Sequence, residues 1–288
     1  MKPRRALALA AWSVLAAAAL PRAAAAQFFP AQPAGYLLTT DASDGRALWV
    51  NPAGLVRRTE ASVGADLAIE RSPLDTRVSQ FGLFAASRNL AFGWSHNRLP
   101  AGASAGGNLP KRAANVYAIG LGLGDPVFSA GAAKRWYRGD ARSSAWDVAT
   151  RVAVSPHLDL SVVWRDIGSP IVADTMLEET LVPAVALSFF RGRLRVGAEW
   201  HVATGGWNAR EVRTGWTIRT GERLAVMFRN DLTPGLGRRR TVLAVQWGLN
   251  RARATLSASG SGATDTETYG AGLLLISAPP PARGRPRR

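Results

Sequence analysis

The sequence contains no cysteine, three histidines and, among its 36 basic residues, only three lysines. Without cysteine there is no disulfide, no thiol nucleophile and no lipid attached through sulfur. His96, His157 and His201 are scattered and offer no ligand spacing, so neither a metal nor a cofactor is expected. Beyond Leu20 no run of about 18 apolar residues occurs, which excludes a spanning helix. Acidic residues are also scarce, and 20 Asp and Glu against 36 Lys and Arg give a formal charge of +16. The excess is nearly all arginine, which reads as compositional bias, and nucleic acid is not expected as a partner.

What is present begins with Met1-Lys2-Pro3-Arg4-Arg5, an Ala/Leu/Val run to Leu20, and Ala23 to Ala26 before Gln27. A basic start, a short apolar core and small residues predict a secretory signal peptide over 1–26. The other end, "APPPARGRPRR" over 278–288, predicts a solvated basic tail.

From about residue 61 the chain alternates. In "RLRVGAEWHV", Leu194, Val196, Ala198, Trp200 and Val202 share one face, and Arg193, Arg195, Glu199 and His201 share the other. A period of two is a strand. "SSAWDVATRVAV" sets Trp146 and Val148 against Asp147 and Arg151; "HLDLSVVWR" sets Leu160 and Trp164 against Asp159 and Arg165; "REVRTGWTI" sets Val212 and Trp216 against Glu211 and Arg213. About fourteen such segments run from 61–69 to 266–276.

Two features favour a transmembrane barrel over a soluble sandwich. Trp94, Trp136, Trp146, Trp164, Trp200, Trp216 and Trp247 all lie on the apolar face, as membrane-interface aromatics do. Links after even-numbered strands are short, whereas several after odd-numbered ones are long, such as "RLPAGASAGGNLPKRA". That asymmetry belongs to outer-membrane barrels and puts both termini in the periplasm. The predicted fold is an all-β, antiparallel barrel over 59–277 in contact with outer-membrane lipid. Its lumen is expected to hold Asp147, Arg151, Asp159, Arg165, Arg193, Arg195, Glu199, Glu211 and Arg213. These charges either pair across strands and hold an inner segment, or form a basic constriction that favours anions.

Ahead of the first strand stands "DGRALWVNPAGL". Ser43 or Asp44 is placed to cap a short helix carrying Ala47, Leu48 and Trp49. Asn51 cannot easily be helical before Pro52, and Asn51-Pro52-Ala53-Gly54 favours a type I turn. With "AWDVATRVAVSPHLDLSVVWRDIGSP" and "LVPAVALSFFRGRLRVGAEW", this order of elements resembles the FadL superfamily of outer-membrane barrels, and within it the PorV-like branch. The resemblance implies that 27–58 is a periplasmic plug gating passage at Asn51, Pro52, Ala53 and Gly54, with Leu48 and Trp49 touching a small hydrophobic ligand. Alternatively it implies a docking protein for exported proteins and their secretion machinery.

Enzymatic readings are weaker. "GASAG" at 102–106 has the G-x-S-x-G form, but it lies in a long loop and not on the strand-to-helix turn that motif needs. No Ser, His and acid fall into a recognisable arrangement, and a non-enzymatic protein is expected.

Overall fold

The computed structural model describes residues 35–57, 60–73, 75–98, 113–139, 143–172, 175–221, 223–261 and 266–277. The expected signal peptide 1–26, residues 27–34, the 102–106 motif and the tail 278–288 lie outside the described residues.

The wall is built from β1 (Ser62–Arg71), β2 (Thr76–Ser87), β3 (Leu90–Arg98), β4 (Ala113–Gly124), β5 (Phe128–Arg138), β6 (Ser143–Ser155) and β7 (Leu158–Ile167), followed by seven strands after a small hairpin. That hairpin pairs β8 (Ile171–Val172) with β9 (Thr175–Met176). The wall resumes with β10 (Thr180–Phe189), β11 (Leu194–Ala203), β12 (Asn208–Thr220), β13 (Leu224–Leu232), β14 (Arg238–Leu249), β15 (Ala252–Ser261) and β16 (Thr266–Ile276). Each wall strand pairs antiparallel with the next, β7 with β10 across the hairpin, and β1 pairs with β16 from Ser62↔Ile276 to Arg71↔Glu267. The result is a closed barrel of fourteen strands with no free edge. All the expected strands form, with ends shifted by a residue or two.

Side-chain alternation is inverted relative to a soluble protein. Outward positions are apolar and open: Val63 is 58% exposed, Phe92 51% and Leu256 53%. Inward positions hold buried charge, including Asp147, Arg151, Glu199 and Arg229. A continuous apolar exterior around a polar interior is stable only where lipid is the solvent.

The short hairpins lie at one rim. Tight connections need positive φ, which Arg88 (52°) supplies between β2 and β3 and Asn250 (51°) between β14 and β15. Between β4 and β5, Asp125 Oδ1 accepts the N–H groups of Val127 and Phe128 at 2.7 and 2.8 Å.

Inside the barrel lies a non-strand segment, residues 35–57, with helix α1 (Ala47–Val50) followed by a 3-10 turn (Pro52–Arg57). Leu48, Trp49, Val50 and Leu55 pack with Ala91, Val116, Ala118, Ala133, Tyr137 and Ala145 of the wall. Val172 of β8 and Leu177 just beyond β9 join the same cluster, so the β7–β10 connection turns inward over the lumen.

Candidate functional site in the barrel lumen

Asn51-Pro52-Ala53-Gly54 ends the helix and turns the chain toward the wall. Asn51 is extended (φ −159°, ψ 98°), as the steric demand of the following proline requires. Its buried side chain makes two bonds: Nδ2 donates to the Thr39 carbonyl at 3.0 Å, and Oδ1 accepts the Ala53 N–H at 3.1 Å. The Gly54 N–H then closes the turn on the Asn51 carbonyl at 2.9 Å. Ala53 is enclosed by Ala149, Val163 and Val182, and a Cβ on Gly54 would meet the Ala42 carbonyl.

The expected helix cap takes a different form. Arg46, not Ser43 or Asp44, occupies the cap position and makes no side-chain cap bond. Asp44 accepts the Arg46 N–H at 3.0 Å and grips its guanidinium through both oxygens, at 3.0 and 2.6 Å. The ion pair wins because both groups are buried, where an unpaired charge is costly. Arg46 also donates to the Tyr36 hydroxyl. Burial opposes the Arg46 charge, but Asp44 and Tyr36 outweigh it and hold the pKa well above its ordinary value.

Five wall arginines hold the segment by its carbonyls. Arg135 donates to Trp49 O at 3.1 Å and Arg165 to Val50 O at 2.5 Å, filling acceptors that a helix C-terminus leaves empty. Arg151 reaches Ala42 O at 3.4 Å, Arg195 reaches Thr40 O at 3.1 Å, and Arg229 bonds the carbonyls of Gly35 and Leu37. In the opposite polarity, the Thr39 N–H donates to Glu199 at 2.7 Å.

Carboxylates in the wall compensate most of these cations. Arg135 pairs with Asp147, Arg151 with Asp159 at 3.2 Å, Arg195 with Asp159 at 2.7 Å, and Arg229 with Asp231 at 2.7 Å. Arg213 lies between Glu211, Glu199 and Asp231, and Glu199 also meets His201 at 3.0 Å.

Thus Asp147, Arg151, Asp159, Arg165, Arg195, Glu199, Glu211 and Arg213 face the lumen, in separate charge clusters that the backbone of the inner segment bridges. Arg193 does not. It is exposed in the β10–β11 turn, because positive φ at Phe190 and Arg191 shapes a tight hairpin there and β11 begins one residue later. His157 is likewise exposed in a turn, its Nδ1 3.0 Å from the Ser188 carbonyl.

Leu48, Trp49, Asn51, Pro52, Ala53 and Gly54 are all buried, so Leu48 and Trp49 present no surface to a solute in this conformation. They lie against Gly93 and Gly120, while Pro52 lies against Gly131 and Leu55 and Val56 against Gly122. Sequence reasoning missed Arg135, Asp231 and these lumenal glycines. The glycines sit at inward positions of β3, β4 and β5, a pattern readable once the faces are assigned.

The seven tryptophans face outward. Trp146, Trp164 and Trp247 are exposed and Trp94, Trp136, Trp200 and Trp216 half-buried among neighbours such as Phe81 and Phe228.

Among solved structures the chain is similar to the CymD monoaromatic hydrocarbon channel (TM-score 0.54, 9% identity, covering 84% of this chain and 94% of that one). The fold is that of an outer-membrane barrel. Less similar are the Acinetobacter baumannii outer membrane protein Omp33 (TM-score 0.49, 8% identity, 76% and 99% covered) and the KdgM porin (TM-score 0.41, 8% identity, 75% and 99% covered). No family model and no curated protein sequence matches the chain.

Proposed function

We propose that this barrel carries small hydrophobic or amphipathic compounds passively across the outer membrane, with residues 27–58 as a plug that gates passage. One observation carries the reading. The arginines that anchor the inner segment come from β5 to β13 and the segment packs on β3 to β5, while four inward positions of β15 and β16, Ser257, Ser259, Thr268 and Gly270, remain half-exposed. These four positions are small, uncharged and weakly polar, a lining suited to a neutral solute. Holding the plug by guanidinium-to-carbonyl bonds suits a gate, because water can replace each bond at modest net cost when the segment moves. Movement would bare Leu48, Trp49, Val116 and Ala118 as an apolar surface for the solute. The neighbouring fold of a hydrocarbon channel is in keeping with this substrate class.

The test is permeability. Liposomes holding the mature chain are expected to admit a small aromatic solute slowly, and liposomes holding a variant without 27–58 to admit it faster. Equal rates in the two would sink the plug.

A PorV-like docking role is the second reading, favoured by the unbroken wall and the paired charges of the lumen. It requires that cells without the barrel shed exported proteins into the medium. An unchanged surface and medium profile would dismiss it.

A further inference from the structure

On the lipid-facing wall, cations gather in one sector. The outward positions of β5 run Lys134, Trp136, Arg138 toward the long-connection rim, and β3 adds exposed Arg98. Lys134 is the only lysine among the described residues, and its Nζ lies 4.9 Å over the ring of Trp146, its register partner on β6. Trp136 is level with Tyr117, and Tyr117 with Trp94. Arg138 and Arg98 therefore lie on the rim side of an aromatic row, the depth at which lipid headgroups begin. Lys134 lies two residues inside that row, with a stem long enough to carry its ammonium toward the same layer.

The outward positions of β3 to β6 carry no acidic residue. Two strands from β3, outward Arg71 instead has Glu267 as its register partner across the closing seam. Positive charge on a lipid-facing wall is tolerated only near the interface, and a tryptophan face attracts an ammonium without neutralising it. Arg138 gives Nη1 to the carbonyls of Tyr137 and Ser143, at 2.9 and 3.4 Å, which orients its guanidinium at the rim.

We propose that this sector binds the phosphate groups of an anionic glycolipid in the leaflet at the long-connection end. Lys134 and Arg138, four residues apart on one face of a strand, stand about 13 Å apart. That separation is mostly in depth, and the long stem of Lys134 can lift its ammonium toward the layer that Arg138 occupies. Both can then meet phosphates of one headgroup, and Trp136 between them offers a flat surface for a sugar ring. The inference rests on the outer-membrane reading with long connections outward, and it is independent of transport and of the plug.

The test uses the full mature chain folded in neutral detergent micelles, with diphosphoryl lipid A as probe and native mass spectrometry as readout. Lys134→Gln is expected to weaken retention roughly fivefold and Lys134→Gln with Arg138→Gln roughly thirtyfold, from the usual worth of a basic residue at an anionic surface. Arg71→Gln is expected to retain the lipid as wild type does, and lipid A stripped of both phosphates to be held no better by wild type than by the double variant. Heat-modifiable gel mobility checks that each variant is folded, and Lys134→Gln alone carries the test if the double variant is not. Equal retention by wild type and a folded variant overturns the site. So does equal retention of the dephosphorylated lipid, or displacement by soluble glucosamine 1-phosphate at the concentration of lipid A.

Discussion

Gly131 has no room for a side chain, because a Cβ would fall on the backbone of Pro52 and Ala53. Neither partner is a flexible side-chain end, so Gly131→Ala must push the NPAG turn off the wall at a cost of about 1–3 kcal/mol. The expected outcome is faster proteolysis within 35–57 in the folded barrel; unchanged cleavage would show that the turn is not seated there. Asn51→Ala removes the bonds to Thr39 and Ala53 and strands a buried carbonyl and a buried N–H, costing about 1–3 kcal/mol. More frequent openings in single-channel records are expected. Asp125 tests a turn instead. The N–H groups of Phe128 and Val127 hold its carboxyl below the ordinary 3.8, so it adds stability above that value and loses it as pH falls through the lower folded-state pKa. Asp125→Asn is expected to flatten the pH dependence of unfolding in that acid window, measured by tryptophan fluorescence in urea.

At the scale of elements, the connection between wall and inner segment is a set of compensated charges rather than a patch of surface pairs. Asp147→Asn leaves Arg135 buried between a weaker partner and the distant Asp166, 4.0 Å from its guanidinium. Loss of one member of a buried pair costs about 3–5 kcal/mol, and here the cost falls on the bond from Arg135 to the end of α1. A lower urea midpoint together with greater permeability is expected; a lower midpoint alone would separate wall stability from gating. The strands were legible because alternation is local: ten residues of β11 show both faces whatever they pair with. Arg193 was misplaced for a local reason too, since the pattern continues into a turn where backbone φ, not pleat, sets direction. The pairing of Asp44 with Arg46 was not legible, because capping and ion pairing compete for one carboxylate and burial decides between them.

For the whole molecule, the inversion of apolar and polar faces sets what a substitution does. Val148 and Ala149 are neighbours on β6, one exposed to lipid and one buried in the lumen beside Ala53. Val148→Arg is expected to cost about 2–4 kcal/mol of folding into a bilayer if it lies near the midplane. Ala149→Ser, a lumenal change that adds a single hydroxyl, is expected to cost well under half of that. Folding titrations into vesicles measure both, and equal costs would contradict the assigned faces. The arrangement of the lumen could not be read this way, since alternation tells which residues point inward but not which of them meet.

The sequence by itself determined the strands, their two faces and the break at Asn51-Pro52, because pleat, turn geometry and proline sterics act over a few residues. Only the tertiary structure decided that five arginines converge on the carbonyls of one inner segment, that four glycines clear space for it, and that Leu48 and Trp49 are covered. Those contacts join residues up to almost two hundred positions apart, as between Arg229 and Gly35 (|i−j| = 194). They follow from the curvature and register of the closed barrel, which no local pattern encodes.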